Sequence, residues 1–147
     1  MPAQTAASTP GSPTCSRPVG SSTPLDIPAG GVRAGRLSAE QLPPARTGLG
    51  QWSAGDYVLA NERVAMLIER AKPSSGYDPW GGKPIGVAQV RDGRLVDAGD
   101  FGEAIFGLGR FTVATETVTV LRDGTEGGVA TVRAEGPLLA IPFIDDF

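Results

Sequence analysis

The sequence predicts an all-β protein: an antiparallel β-sandwich-like domain of short strands over residues 48–147, behind a disordered tether at 1–47. Three observations carry this expectation. From residue 57 onward apolar residues alternate with a period near two, as in half-buried strands. Gly-rich turns divide these runs at short, regular intervals. No segment after residue 50 sustains a helical period, so a βαβ plan is disfavoured.

The elements follow in order. Residues 1–47 are rich in Pro, Ser, Thr, Ala and Gly and hold no aromatic residue, a composition that buries too little apolar area to offset the entropy of ordering. Within them Leu37, Gln41 and Leu42 have helical spacing and Ser38 is a candidate cap, but Pro43-Pro44 limits this to a turn of helix. Residues 56–60 and 63–69 are expected strands joined at Asn61-Glu62, where Asn tolerates positive φ. Val64, Met66 and Ile68 share one face of the second strand and Ala65 and Leu67 the other, so both faces should be at least partly covered. Residues 85–90 and 95–98 form a hairpin through Asp92-Gly93, a pair that accepts the positive φ of a type I′ turn. Residues 101–108 are apolar but broken by glycine. Residues 111–121 form the longest strand-like run, rich in β-branched side chains. Its parity slips between Val113 and Val118, which predicts a bulge or bend near Thr115. A Gly-rich turn at 123–128 leads into 129–134, and 138–144 ends the chain as an edge strand interrupted by Pro142. The apolar end, through Phe143, Ile144 and Phe147, raises the expectation that the domain is incomplete at its C-terminus.

Composition closes several function classes. At 147 residues there is room for one core only. The chain has no histidine, which removes imidazole metal sites, Ser-His-Asp and Cys-His catalysis and an imidazole base. The single cysteine, Cys15, cannot close an internal disulfide. A formal net charge of −3 without any basic run argues against nucleic acid as a partner. No run approaches the ~18 apolar residues that would cross a bilayer. Neither an enzyme motif nor a cofactor signature is present: Gly107-Leu108-Gly109-Arg110 is followed by no helix pattern, and a carboxylate pair chosen from 16 acids carries no information.

Three sets of residues are candidates for sites. In the stretch Gly76–Pro84, "GYDPWGGKP", Tyr77 and Trp80 flank Asp78, with Lys83 beyond two glycines. Aromatic faces and a carboxylate suit a sugar. The favoured alternative is that Trp80 caps the sandwich edge while the glycines permit the connection, and Tyr77 and Trp80 side by side on an open surface would reverse it. Asp97, Asp100 and Glu103 form an oxygen-only set of a sort that can hold calcium. They lack the alternating ligands and sixth-position glycine of an EF-hand loop, and solvated loop acids are the default reading. Cys15, followed by a small-residue tether, resembles the lipidated start of a bacterial lipoprotein, whereas Ser12-Pro13-Thr14 departs from a lipobox. Two explanations stand: an incidental cysteine, or a start codon that omits the hydrophobic segment. The first leaves no membrane tether; the second supplies one.

The series "GDYVLANERVAMLIE", "GYDPWGGKPIGVA", "GRLVDAGDFGE" and "ETVTVLRDGTEGGVATVRAEGP" resembles the N-terminal β-rich region of large predicted secreted or lipoprotein-like bacterial proteins of unknown function. The likeness covers roughly residues 50–147. In some such proteins the downstream chain resembles PHP-type metallohydrolases, whose histidines have no counterpart here. The resemblance implies an extracytoplasmic, non-catalytic accessory β-domain with a binding or scaffold role. It names no partner; the candidates are a glycan, through Tyr77 and Trp80, or a downstream domain of the same protein. Its alternative is the N-terminal piece of a secreted hydrolase whose active site lies beyond Phe147.

Overall fold

The computed structural model describes residues 20–44, 51–102 and 104–141. Within them the chain is all-β and antiparallel. Five strands, β1 (Val32–Arg36), β2 (Tyr57–Asn61), β3 (Val64–Ile68), β4 (Pro84–Arg91) and β5 (Arg94–Asp100), form one meander in sequence order. β6 (Gly107–Leu108), β7 (Phe111–Val113) and β10 (Leu138–Ala140) make a small sheet ordered β10-β7-β6. β8 (Thr117–Asp123) and β9 (Ala130–Glu135) make a separate hairpin.

The first strand corrects the expected tether. β1 pairs along its whole length with β2, from Val32↔Asn61 to Arg36↔Tyr57. Ala34 is fully buried, and Leu25 and Leu37 enter the core. Such a short segment, "VRAGR", has too few apolar side chains to announce a strand, so packing decides its state. Gly35 is part of the reason, because a Cβ there would collide with the Ser21 carbonyl. The helical expectation shrinks to one 3-10 turn at Ala39–Gln41, preceded by Ser38 as its cap. Gln41 Oε1 accepts from the Ser38 amide at 2.9 Å.

Both turns of the meander follow from local chemistry. Asp92 and Gly93 adopt φ of 49° and 69°, as a type I′ hairpin requires. Asn61 works differently from expectation, for its backbone φ is not positive. Instead its Oδ1 accepts from the Arg63 and Val64 amides, each at 2.9 Å, closing an Asx turn.

Alternation sorts the meander into two faces. Val58, Ala60, Ala65, Leu67, Ile85, Ala88, Val90, Leu95 and Ala98 bury together with Leu25, Leu37 and Trp52. Trp52 Nε1 donates to the Pro43 carbonyl at 3.1 Å, so its polar edge is satisfied. Among the described residues the opposite face is covered at one end, where Val118 and Val120 of the β8–β9 hairpin pack on Ala34, Tyr57 and Ile68.

The long run at 111–121 holds a larger interruption than the expected bulge. The chain leaves one sheet after Val113 and enters another at Thr117. Its second crossing, between β9 and β10, lies alongside: the Ala114 amide donates to the Pro137 carbonyl at 2.8 Å and the Glu116 amide to Glu135 at 2.9 Å. Gly136 fits this corner because any side chain would strike the Ala114 carbonyl.

Candidate functional site

The stretch 69–83 is a closed excursion between β3 and β4, zipped by its own backbone. Glu69 and Lys83 bond main chain to main chain at 2.9 Å, Gly82 donates to Glu69 at 2.9 Å, Gly81 to Lys72 at 3.1 Å, and Ser74 to Pro79 at 2.8 Å. Close approach explains the paired glycines. A Cβ on Gly81 would meet the Arg70 carbonyl, and Gly82 sits at φ 81° against Thr115.

Its polar side chains point inward. Asp78 is 2% exposed and Lys83 5%. Lys83 Nζ donates to the Asp78 carbonyl at 2.8 Å and lies 3.7 Å from Oδ2. Thr112 of β7 donates to the same Oδ2 at 3.1 Å, and the Trp80 amide donates to Oδ1 at 3.1 Å. The carboxylate therefore fastens the excursion to the small sheet. A recess of 220 Å³ beside it is lined by Asp78, Lys83, Phe106, Thr112 and Thr115 among others. Of the two aromatic candidates, Tyr77 is 68% exposed, whereas Trp80 is half-buried and bridged to Pro73. The loop presents one open aromatic ring rather than a two-ring platform.

The acidic set is partly visible. Asp97 takes φ 50° and pairs with Arg91 at 3.4 Å on the surface. Asp100 accepts from the Gly102 amide at 3.0 Å. Glu103 and Cys15 lie outside the described residues, as do Asp145 and Asp146. Among the described residues no group of three or more carboxylate, thiol or imidazole side chains is placed to hold a metal ion. No helix among them is long and apolar enough to cross a membrane.

Two further buried acids were not singled out by the sequence. Asp56, fully buried, accepts from Ser53 N at 2.7 Å and Arg70 N at 3.1 Å, with the Arg70 guanidinium at 3.4 Å. Glu69, 1% exposed, faces Lys72 Nζ at 3.0 Å. Both brace the ends of β2 and β3. Lys72 is only three residues from Glu69 and Ser53 three from Asp56, but nothing in that spacing announces that the two carboxylates are buried.

One open concavity is apolar. The β8–β9 hairpin covers the β1–β2 side of the meander, leaving Val64 and Met66 at 47% and 37% exposure. Beside the hairpin runs a groove of 360 Å³, lined by Val32, Leu59, Val64, Met66, Val87 and Val129 with their neighbours. Its floor is a cross-strand row, Leu59↔Met66 and Met66↔Val87. Among the described residues none of its lining side chains is ionisable. The alternation at 63–69 showed that Val64 and Met66 share a face, but not that both stay exposed on it. No family model matches the chain, and neither a curated protein nor a solved structure matches it.

Proposed function

We propose that the chain is a non-catalytic binding or scaffold β-domain acting outside the cytoplasm, with the apolar groove beside the β8–β9 hairpin as its binding surface. The observation that supports this reading is the contrast between two regions. Asp78 and Lys83 in the 69–83 excursion are engaged with each other and with Thr112, while Val64, Met66 and Val129 remain open on a concave apolar surface. The groove's 360 Å³ is within the ~300–1,000 Å³ of small-ligand sites. Methyl NMR tests it: n-hexanol should shift the Met66 methyl and leave that of Met1 in place. If both methyls respond alike, or neither does, the groove is not a site. The extracytoplasmic placement rests on the resemblance of residues 50–147 to secreted regions. Recovery of the native protein in the cytoplasmic fraction alone would refute it.

A second reading, an N-terminal accessory piece of a larger hydrolase, is favoured by a different surface. Leu108, Phe111 and Leu138 lie on one face of the small sheet by register and are 70%, 49% and 51% exposed. A contiguous apolar face of this kind suits burial by a downstream domain. A gene sequence reading straight into a His/Asp-rich segment after Phe147 would support it; a stop codon there would end it. Carbohydrate binding through Tyr77 and Trp80 predicts quenching of tryptophan fluorescence by soluble glycans, with Trp80→Phe abolishing the response.

A further inference from the structure

We propose that the groove seats one extended strand of a partner polypeptide, added to the open edge of β9 with uncharged aliphatic side chains directed onto Met66. The proposal rests on the reading of the groove as a binding surface and assigns its ligand class. Four observations lead to it.

The first is the unpaired edge. Among the described residues β9 pairs with β8 alone, so its other side is an open strand edge, the arrangement used in strand addition. The second is direction. β8 lies over β1, and β9 reaches on to β2. The hairpin thus advances across the meander, and the open edge of β9 faces β3 and β4, where Met66 and Val87 form the floor. A strand added there would extend the second layer by one and complete the cover of the sheet.

The third observation is charge. The C-terminal half of β9 is guarded by Arg133 and Glu135, paired at 2.8 Å. Charged side chains of this sort block casual edge pairing. Residues 130–132, next to the groove, are Ala, Thr and Val and carry no such guard. A charged side chain brought against this lining would lose its water without gaining a counter-ion. The occupant's inward side chains are therefore neutral and apolar. The fourth is area. Val64, Met66 and Val129 are only partly exposed, and three such side chains fall far short of the ~800 Å² per partner of a stable protein pair. One strand fits the space where a second copy of the domain does not.

The test uses the full chain and a capped peptide of about seven residues, alternating valine and threonine with lysine at each end. The control is the same peptide N-methylated at each valine, which keeps the side chains but cannot donate from those amides. The expected result is a shift of the Met66 methyl together with the amides of Thr131 and Val132. The control should bind about tenfold more weakly, the equivalent of one or two main-chain hydrogen bonds. Met66→Lys and Val64→Lys, both on the open face, should each abolish the response while the spectrum stays dispersed. Equal binding of peptide and control would overturn strand addition and leave the groove as a site for apolar groups, which n-hexanol reports separately. Shifts confined to other surfaces would also overturn the proposal. No response to either peptide or to n-hexanol would remove the binding reading with it.

Discussion

Tyr57 joins the two layers through one side chain. Its hydroxyl donates to the Val118 carbonyl at 2.8 Å and accepts from Arg36 Nη2 at 2.8 Å, while the Arg36 guanidinium lies 4.9 Å from the ring centroid. Tyr57→Phe keeps the ring but strands a buried carbonyl, so it should cost about 1–3 kcal/mol. Urea unfolding should show a lower midpoint at an unchanged slope. Lys83→Met is expected to be harsher, because it leaves the Asp78 carboxylate buried without its ammonium, a loss of about 3–5 kcal/mol. Adding Asp78→Asn should return part of it. At the β8–β9 turn, the Thr125 hydroxyl and amide bond Asp123 Oδ1 at 2.6 and 2.9 Å, holding that carboxyl below its ordinary value. Because the folded value is depressed, this stabilisation is present above the ordinary carboxylate range and fades as pH falls through the lowered value. Thr125→Ala should move the Asp123 carboxyl titration upward, as read by carbon-detected NMR.

Elements divide by how local their causes are. The hairpin through Asp92-Gly93 was legible because two adjacent residues determine it, and the pairing of β2 with β3 because alternation and Asn61 agree. β1 was illegible: its strand state depends on Ala34 and Gly35 packing against Val120 and Ser21, contacts that sequence spacing cannot display. The break at 114–116 was half legible. Parity showed that the run could not continue evenly, but the change of sheet depends on Gly136 and Pro137, some twenty residues away. Asp78 and Lys83 were identified as candidate ligand residues by type, while their burial against Thr112 was hidden in the tertiary fold. At the corner, Gly136→Ala forces the Ala114 carbonyl to shift. Hydrogen exchange should then show the amides of Ala114 and Glu116 losing protection before those of β2 and β3 do.

For the whole molecule, the meander is the structural centre and the other two sheets attach to it. Leu25, Leu37 and β1 complete its core from the N-terminal side, so a chain beginning at Gln51 should lose cooperative thermal unfolding rather than merely a tether. Calorimetry would decide this, since a sharp transition retained by the shortened chain would show that residues 20–44 are dispensable. The manner of attachment has its own consequence. Arg33 reaches the Gly124 carbonyl at 2.7 Å and Tyr57 that of Val118 at 2.8 Å, so side chains bond main chain across the layer boundary. Within the meander, by contrast, ladders of main-chain bonds run from β1 to β5. Under tension the hairpin should come away first as a unit, with the meander yielding later. The molecule is in this sense a compliant flap on a stiff plate.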